Sequence, residues 1–179
     1  MKTFRQFMVE AKNPYWYKGP NKTVDLAVLR DHPKHGRQVL LIKRGEGAVE
    51  GGKYALPGGF INTSTRKGET WKDEHDLEKP HQAAIRETEE ETGLKLDPVK
   101  HGKLIKHVGV YEGGKRDPRD NTVGWSRSHA FTMKIPPEMG NDVKGMDDAS
   151  EASWHPVNKL PTLAFDHGTI LQHALKLHE

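Results

Sequence analysis

The chain is predicted to adopt an α+β fold. Apolar, β-branched runs of strand length recur at residues 23–31 (TVDLAVLRD), 37–44 (RQVLLIKR), 104–113 (LIKHVGVYEG) and 126–135 (SRSHAFTMKI). Two further segments, 80–92 and 165–179, carry helix formers or a one-sided apolar stripe. Strands and helices interleave without the regular strand-helix-strand rhythm of a doubly wound sheet.

The first two runs are separated by HPKHG, which predicts a hairpin. KYALPGGF is a third short strand entering a glycine turn, and residues 61–79 are polar and aperiodic, a long loop of the kind that is functional or disordered. Pro80 suits the first turn of a helix, HQAAIRETEEET continues it, and Gly93 is placed to end it. After the strand at 104–113 comes the loop GKRDPRDNTVGW, then the strand at 126–135. EASWHPVNKL is a short strand and turn, and the closing helix sets Ile170, Leu171, Ala174 and Leu175 on one side. No internal repeat is present. Residues 1–20 divide off as an N-terminal peptide and linker, leaving 21–179 as one domain.

The 179 residues suffice for a sizeable core, and no apolar run approaches the length of a membrane span. No membrane partner is expected. The absence of cysteine excludes disulfides and thiolate metal sites, so any metal falls to Asp, Glu, His or backbone oxygen. Net charge is +3, but Lys and Arg are scattered rather than gathered into a basic stripe, which argues against a nucleic-acid partner and is compatible with a small phosphorylated ligand. The eleven histidines show no paired metal-binding spacing.

The densest feature is RETEEETGLK, residues 86–95. On a helix Glu87, Glu90 and Glu91 stand at i, i+3 and i+4 and share a face. Each close pair carries about 3 kcal/mol of gross repulsion at an effective dielectric near 20. A hard divalent cation, Mg²⁺ or Mn²⁺, reverses that term, whereas a solvated acidic face is the alternative.

With Glu78, Arg86 and Gly93 the pattern becomes E-x₇-R-E-T-E-E-E-T-G-L, which resembles the Nudix hydrolase signature G-x₅-E-x₇-R-E-U-x-E-E-x-G-U, where U is apolar. Thr88 replaces one apolar residue. Gly59 precedes Glu78 by eighteen residues rather than five, so thirteen extra residues interrupt the motif. The resemblance implies a mixed β-sheet sandwiched between helices, with a loop-helix-loop in which Glu87, Glu90 and Glu91 bind Mg²⁺ or Mn²⁺ and a Gly58 or Gly59 carbonyl completes the shell. It makes Glu78 and Arg86 a pair that holds helix to loop. Acid-base chemistry is assigned to Glu87, Glu91 or Glu151 of the late loop, with Asp148 as an alternative base.

Flanking segments, among them YALPGGFIN, VYEGGKRDPRDN and LAFDHGTILQHAL, resemble the ADP-ribose pyrophosphatase branch. That branch includes the Nudix domain fused to nicotinamide mononucleotide adenylyltransferase and the Nudix-like part of a bacterial NAD-metabolism repressor. The resemblance implies Mg²⁺-dependent hydrolysis of ADP-ribose to AMP and ribose 5-phosphate, with Arg116, Asp117 and Arg119 in the DPR loop and Arg44 at a strand end as substrate-binding residues. Tyr111, Trp125 and Phe131 are candidate adenine platforms. NADH, FAD and dinucleoside polyphosphates are alternative substrates of the same chemistry. A non-catalytic ADP-ribose sensor is disfavoured by the intact acidic cluster and, against a repressor, by the short stretch after LAFDH. By analogy with the branch, a homodimer is a candidate assembly. MKTFRQFMVEA, with Phe4, Phe7 and Met8 in helical spacing, resembles the capsid-targeting peptides of tailed phages, cut after a glutamate such as Glu10; this implies a phage enzyme of the host cytoplasm, packaged in the virion.

Overall fold

The computed structural model describes residues 12–179. The phage-like peptide therefore lies outside the described residues. Seven strands form one mixed sheet: β1 (Gly19–His32), β2 (Gly36–Arg44), β3 (Tyr54–Ala55), β4 (Gly58–Phe60), β5 (Lys106–Glu112), β6 (Gly124–Lys134) and β7 (Ala149–Pro156). Helices α1 (Pro80–Thr92) and α2 (His167–Lys176) cover its two faces. None of the described helices is long and apolar enough to cross a membrane.

Strand β1 organises the sheet. It pairs in parallel with β6 from Gly19 to Leu29, while its other edge changes partner. Residues 29–32 pair with β2, and residues 23–25 pair with β4. Strand β2 pairs with β7 along its other edge from Gln38 to Arg44, and exchanges β1 for β3 at Ile42 and Lys43. Between these partners β1 and β2 diverge, and Val24, Asp25, Ile42, Arg44, Leu56, Gly58 and Gly59 come to line one hollow.

Because side chains alternate along a strand, Val24, Leu26 and Val28 meet Ala83, Ala84 and Ile85 of α1, while Ala27 and Leu29 meet Ile170, Leu171 and Ala174 of α2. All five β1 residues are buried. Burial on both faces explains why the strand reads as a nearly continuous apolar run. Asp25 breaks that run.

Helix α1 begins at Pro80 and ends at Gly93, which is left-handed (φ 69°) and donates its N–H to the Glu89 carbonyl at 2.9 Å. Thr88, the departure from the apolar signature, is buried and donates its hydroxyl to the Ala84 carbonyl at 2.8 Å. Its methyl is thus left for packing and its polar atom is satisfied. The last carbonyls of α1 accept N–H groups from the late loop, Lys144 onto Thr92 and Met146 onto Glu91, which ties that loop to the acidic end of the helix.

The thirteen extra residues form a closed excursion. At its neck the Leu77 N–H donates to the Asn62 carbonyl at 2.8 Å, and Thr63 pairs with Asp76. The body docks on the segment before β1: the Lys18 N–H donates to Glu69 and the Trp71 N–H to Lys18. Trp71 is buried edge-on to Tyr17 and donates its indole N–H to Asp76 at 2.8 Å. Lys22 completes the clasp with Asp76 at 2.5 Å and Asp73 at 2.8 Å. The loop expected at 61–79 therefore has a fixed shape, and the backbone of Trp16 and Lys18 is bonded to it.

Asp76→Ala is expected to lower stability by about 2–3 kcal/mol, since it leaves the buried indole N–H of Trp71 unpaired and the Lys22 ammonium with only the exposed Asp73. Asp73→Ala, at an exposed carboxylate, is expected to cost less than about 1 kcal/mol. Urea unfolding of both variants checks the contrast.

Candidate active site

The hollow between β1 and β2 has a volume of about 200 Å³. Arg44, Arg116, Asp117 and Arg119 from the sequence candidates line it, with Gly58, Gly59, Glu91 and Asp148. The acidic helix and the arginine loop, far apart in the chain, thus reach one cavity.

Arg86 fixes the helix to the loop. It donates to Glu78 at 3.1 and 2.6 Å, to Glu87 at 2.8 Å, to Glu90 at 3.0 Å and to the Phe60 carbonyl at 3.1 Å. Glu78 also accepts the Asn62 N–H at 2.9 Å. Burial works against the Glu78 carboxylate, but Arg86 and the Asn62 N–H hold its pKa below the usual value. Because the insertion closes at its neck, Glu78 and Gly59 reach the same place despite the interrupted spacing.

The three glutamates have different surroundings. Glu90 is half exposed, whereas Glu87 packs so closely on Gly59 that an added Cβ would lie 2.5 Å from its carboxyl carbon. Glu91 is buried and accepts the Gly58 N–H at 2.9 Å. Burial, then the charges of Asp148 and Glu87, push the Glu91 pKa well up in spite of that hydrogen bond. Burial likewise raises Glu87. Among the described residues no three acidic or imidazole side chains converge into a ready cage. The donor set nevertheless fits a hard divalent cation: oxygen ligands only, with buried negative charge in excess of its partners.

The cations differ as well. Arg116 is buried and paired with Asp166 at 2.7 and 3.0 Å, donates to Ser126 at 3.0 Å and lies 3.7 Å from Asp25. Arg119 forks onto Asp117, at 3.0 and 2.6 Å. Arg44 donates Nε–H to the Val49 carbonyl at 2.7 Å and rests over the Phe165 ring, 4.9 Å from its centroid. Among the described residues no carboxylate lies within ion-pair range of Arg44, so it meets an anion without breaking an existing pair. Phe165 holds a left-handed backbone (φ 51°), with its N–H donated to Glu50. Strain of this kind persists only where the surroundings enforce it, and here it presents a ring to Arg44.

Sequence reasoning did not single out Asp25 or His167. His167 Nδ1 accepts the Leu56 N–H at 2.9 Å, leaving Nε2 to face Asp25 at 3.3 Å. Burial lowers the His167 pKa and favours the neutral ring. An acidic residue inside the apolar run TVDLAVL was the available signal. Glu151 does not line the hollow: it accepts from Tyr54 at 3.3 Å and Ser153 at 3.0 Å on β7. Nor do the proposed platforms. Phe131 is core, Tyr111 stacks on His173, and Trp125 donates to Glu112. Tyr15, Phe60 and Phe165 supply the aromatic lining instead.

The family model for the NUDIX domain matches residues 20–174. The chain belongs to the Nudix hydrolase family. Over 156 residues, 87% of the chain and 73% of the relative, it is 35% identical to a protein of Methanocaldococcus jannaschii named ADP-ribose pyrophosphatase. These two matches make the chain a Nudix pyrophosphohydrolase. Among solved structures it resembles a MutT/nudix family protein of Listeria innocua, with TM-score 0.63 and 31% identity, covering 89% of this chain and 95% of that one. The NUDIX domain of Shewanella oneidensis NrtR complexed with ADP ribose shares the fold, with TM-score 0.68 and 24% identity over 99% of this chain and 100% of that one.

Glu78→Gln of this Nudix chain is expected to cost about 1–2 kcal/mol at neutral pH in metal-free buffer. A carboxyl whose folded pKa is depressed stabilises fully above its unfolded pKa, roughly 4.3, and loses that contribution as pH falls through the folded value. Denaturant titrations should therefore converge for variant and wild type in acid. A gap unchanged between pH 7 and pH 3 would sink the ion-pair reading.

Proposed function

We propose that the chain hydrolyses the diphosphate bond of ADP-ribose to AMP and ribose 5-phosphate, with Mg²⁺ as cofactor and Mn²⁺ as a substitute. The observation that carries this reading is the meeting, in one cavity, of Arg44, which has no carboxylate in ion-pair range among the described residues, with the buried acidic end of the Nudix helix. The Methanocaldococcus relative named for that activity supports the choice of substrate.

Water adds its oxygen to one phosphorus, the bridging P–O bond breaks, and the two monophosphates depart. Glu87, Glu90 and Glu91, with a carbonyl of Gly58 or Gly59, would hold the cation, which when bound neutralises diphosphate charge and lowers the pKa of the attacking water. Arg44 binds the anionic diphosphate, and its planar fork suits phosphate oxygens. Arg119 adds a second cation at the rim while Asp117 fixes its direction. Arg116, already paired, shapes the wall. Asp148 lines the cavity beside Glu91 and is the best-placed carboxylate of the late loop to accept the water proton.

The deciding experiment follows AMP release from ADP-ribose beside NADH, FAD and diadenosine polyphosphates, with Mg²⁺ or EDTA. ADP-ribose is expected to react fastest, EDTA to stop the reaction, and Glu91→Gln to lower kcat/KM by about 100-fold or more. Preference for another diphosphate would overturn the substrate. Tight ADP-ribose binding without turnover would overturn the reaction.

The arginines should separate by measurement. Arg44→Ala is expected to raise KM roughly ten-fold, the loss of a charge-assisted hydrogen bond, and to cost only about 1 kcal/mol of stability through its contacts with Val49 and Phe165. Arg116→Ala should cost about 3 kcal/mol of stability because it leaves Asp166 and Asp25 without their cation.

A further inference from the structure

A second hollow, of about 430 Å³, adjoins the first and shares Tyr15, Phe60 and Arg119 with it. Its remaining lining comes from the segment before β1, notably Trp16 and Tyr17, from Asn21 of β1, and from Ile61, Asn62 and Thr63 at the neck of the insertion. Its character is different. The first hollow is crowded with arginines and carboxylates, whereas the second, Arg119 apart, presents apolar and aromatic faces and uncharged polar groups.

Two of those aromatics are unusually open: Trp16 is 66% exposed and Phe60 43% exposed. Large apolar rings left to water beside a phosphate-binding cavity are the features that a nucleobase needs, a flat face and a short distance from the charged site. Asn62 adds an amide at the edge, where a base carries its donors and acceptors. The rings are also held. The Trp16 carbonyl accepts the Gly68 N–H at 2.7 Å, Lys67 Nζ stands 3.7 Å from the centroid of the Trp16 ring, and Tyr15 donates to Asp120 at 2.5 Å beneath the Arg119 guanidinium.

We propose that this hollow is the base subsite of the enzyme, that its occupant is the adenine ring of the nucleotide substrate, and that the insertion exists in part to hold Trp16 there. The inference rests on the nucleoside diphosphate reading of the adjoining cavity. The clasp of Lys22, Trp71 and Asp76 that docks the insertion makes it a fixed wall, and the wall carries the backbone of residues 16–18. Diphosphate and base then occupy neighbouring hollows, with Arg119 and Tyr15 at their junction.

The test titrates AMP, and separately ribose 5-phosphate, against the full chain by calorimetry, for wild type, Trp16→Ala, Trp16→Phe and Phe60→Ala, with circular dichroism as the check on folding. Loss of one stacking partner is expected to weaken AMP about ten-fold in Trp16→Ala, to leave Trp16→Phe within about three-fold of wild type, and to leave ribose 5-phosphate unchanged. Equal affinity of AMP for wild type and both alanine variants overturns the proposal. So does an equal loss for AMP and ribose 5-phosphate. Because binding is read without turnover, failure of wild type to hydrolyse ADP-ribose would refute the proposed reaction while the AMP titration still decides the subsite.

Discussion

The arrangement depends on Arg86. One guanidinium spans the carboxylates of Glu78, Glu87 and Glu90 and the carbonyl of Phe60, and so joins the glycine loop, the end of the insertion and two turns of α1. Its neighbours raise its pKa beyond any ordinary pH, so the charge is permanent. Without it, carboxylates one helical turn apart would repel into solvent. With it, Glu87 is pressed onto Gly59, and the same close approach seats Glu91 under the Gly58 N–H. Residue 59 has no room for a side chain because the carboxylate is already there.

The second constraint is the partner change along β1. A strand that exchanges β2 for β4 partway along must leave a gap between them, and the backbone groups and side chains at the gap become the cavity. Asp25 sits there, inside the stretch 24–29 of β1 that is otherwise apolar on both faces. Its burial is supported by Ser128, His167 and, more distantly, Arg116, and Arg116 in turn is balanced by Asp166. Buried charges survive only when matched in this way. Two of the three arginines at the cavity, Arg116 and Arg119, are thus paired within the protein, whereas Arg44 has no carboxylate in ion-pair range among the described residues.

Much of this was legible in the sequence. The hairpin of β1 and β2, both helices, the end of α1 at Gly93 and the shared face of Glu87, Glu90 and Glu91 follow from local pattern: strand runs, an N-terminal proline, a left-handed glycine and helical spacing. The Nudix family followed from the motif. What escaped reading was set by distant partners. Whether Arg116 is free or paired depends on Asp166, fifty residues away. Tyr111, Trp125 and Phe131 could not be told from core or surface aromatics because exposure is not written in residue type. Tyr15 and Trp16 lay in a segment rich in turn formers, whose place is fixed by distant partners: Asp120 for Tyr15, the insertion for Trp16 and Lys18.

The insertion shows how a motif survives interruption. Lengthening a loop is inexpensive once its ends are joined, with about 0.6 kcal/mol for each doubling, so thirteen residues threaten the site only if they pull Gly59 and Glu78 apart. Backbone bonding between Asn62 and Leu77, one residue short of Glu78, prevents that. The excursion beyond the neck is then released from the geometry of catalysis. Lys22 and Trp71 fasten it to the opposite side of the entrance, against the segment that leads into β1. A tethered neck and an anchored body place new surface beside the old chemistry without moving it, and the aromatic hollow lies where that surface meets the cavity.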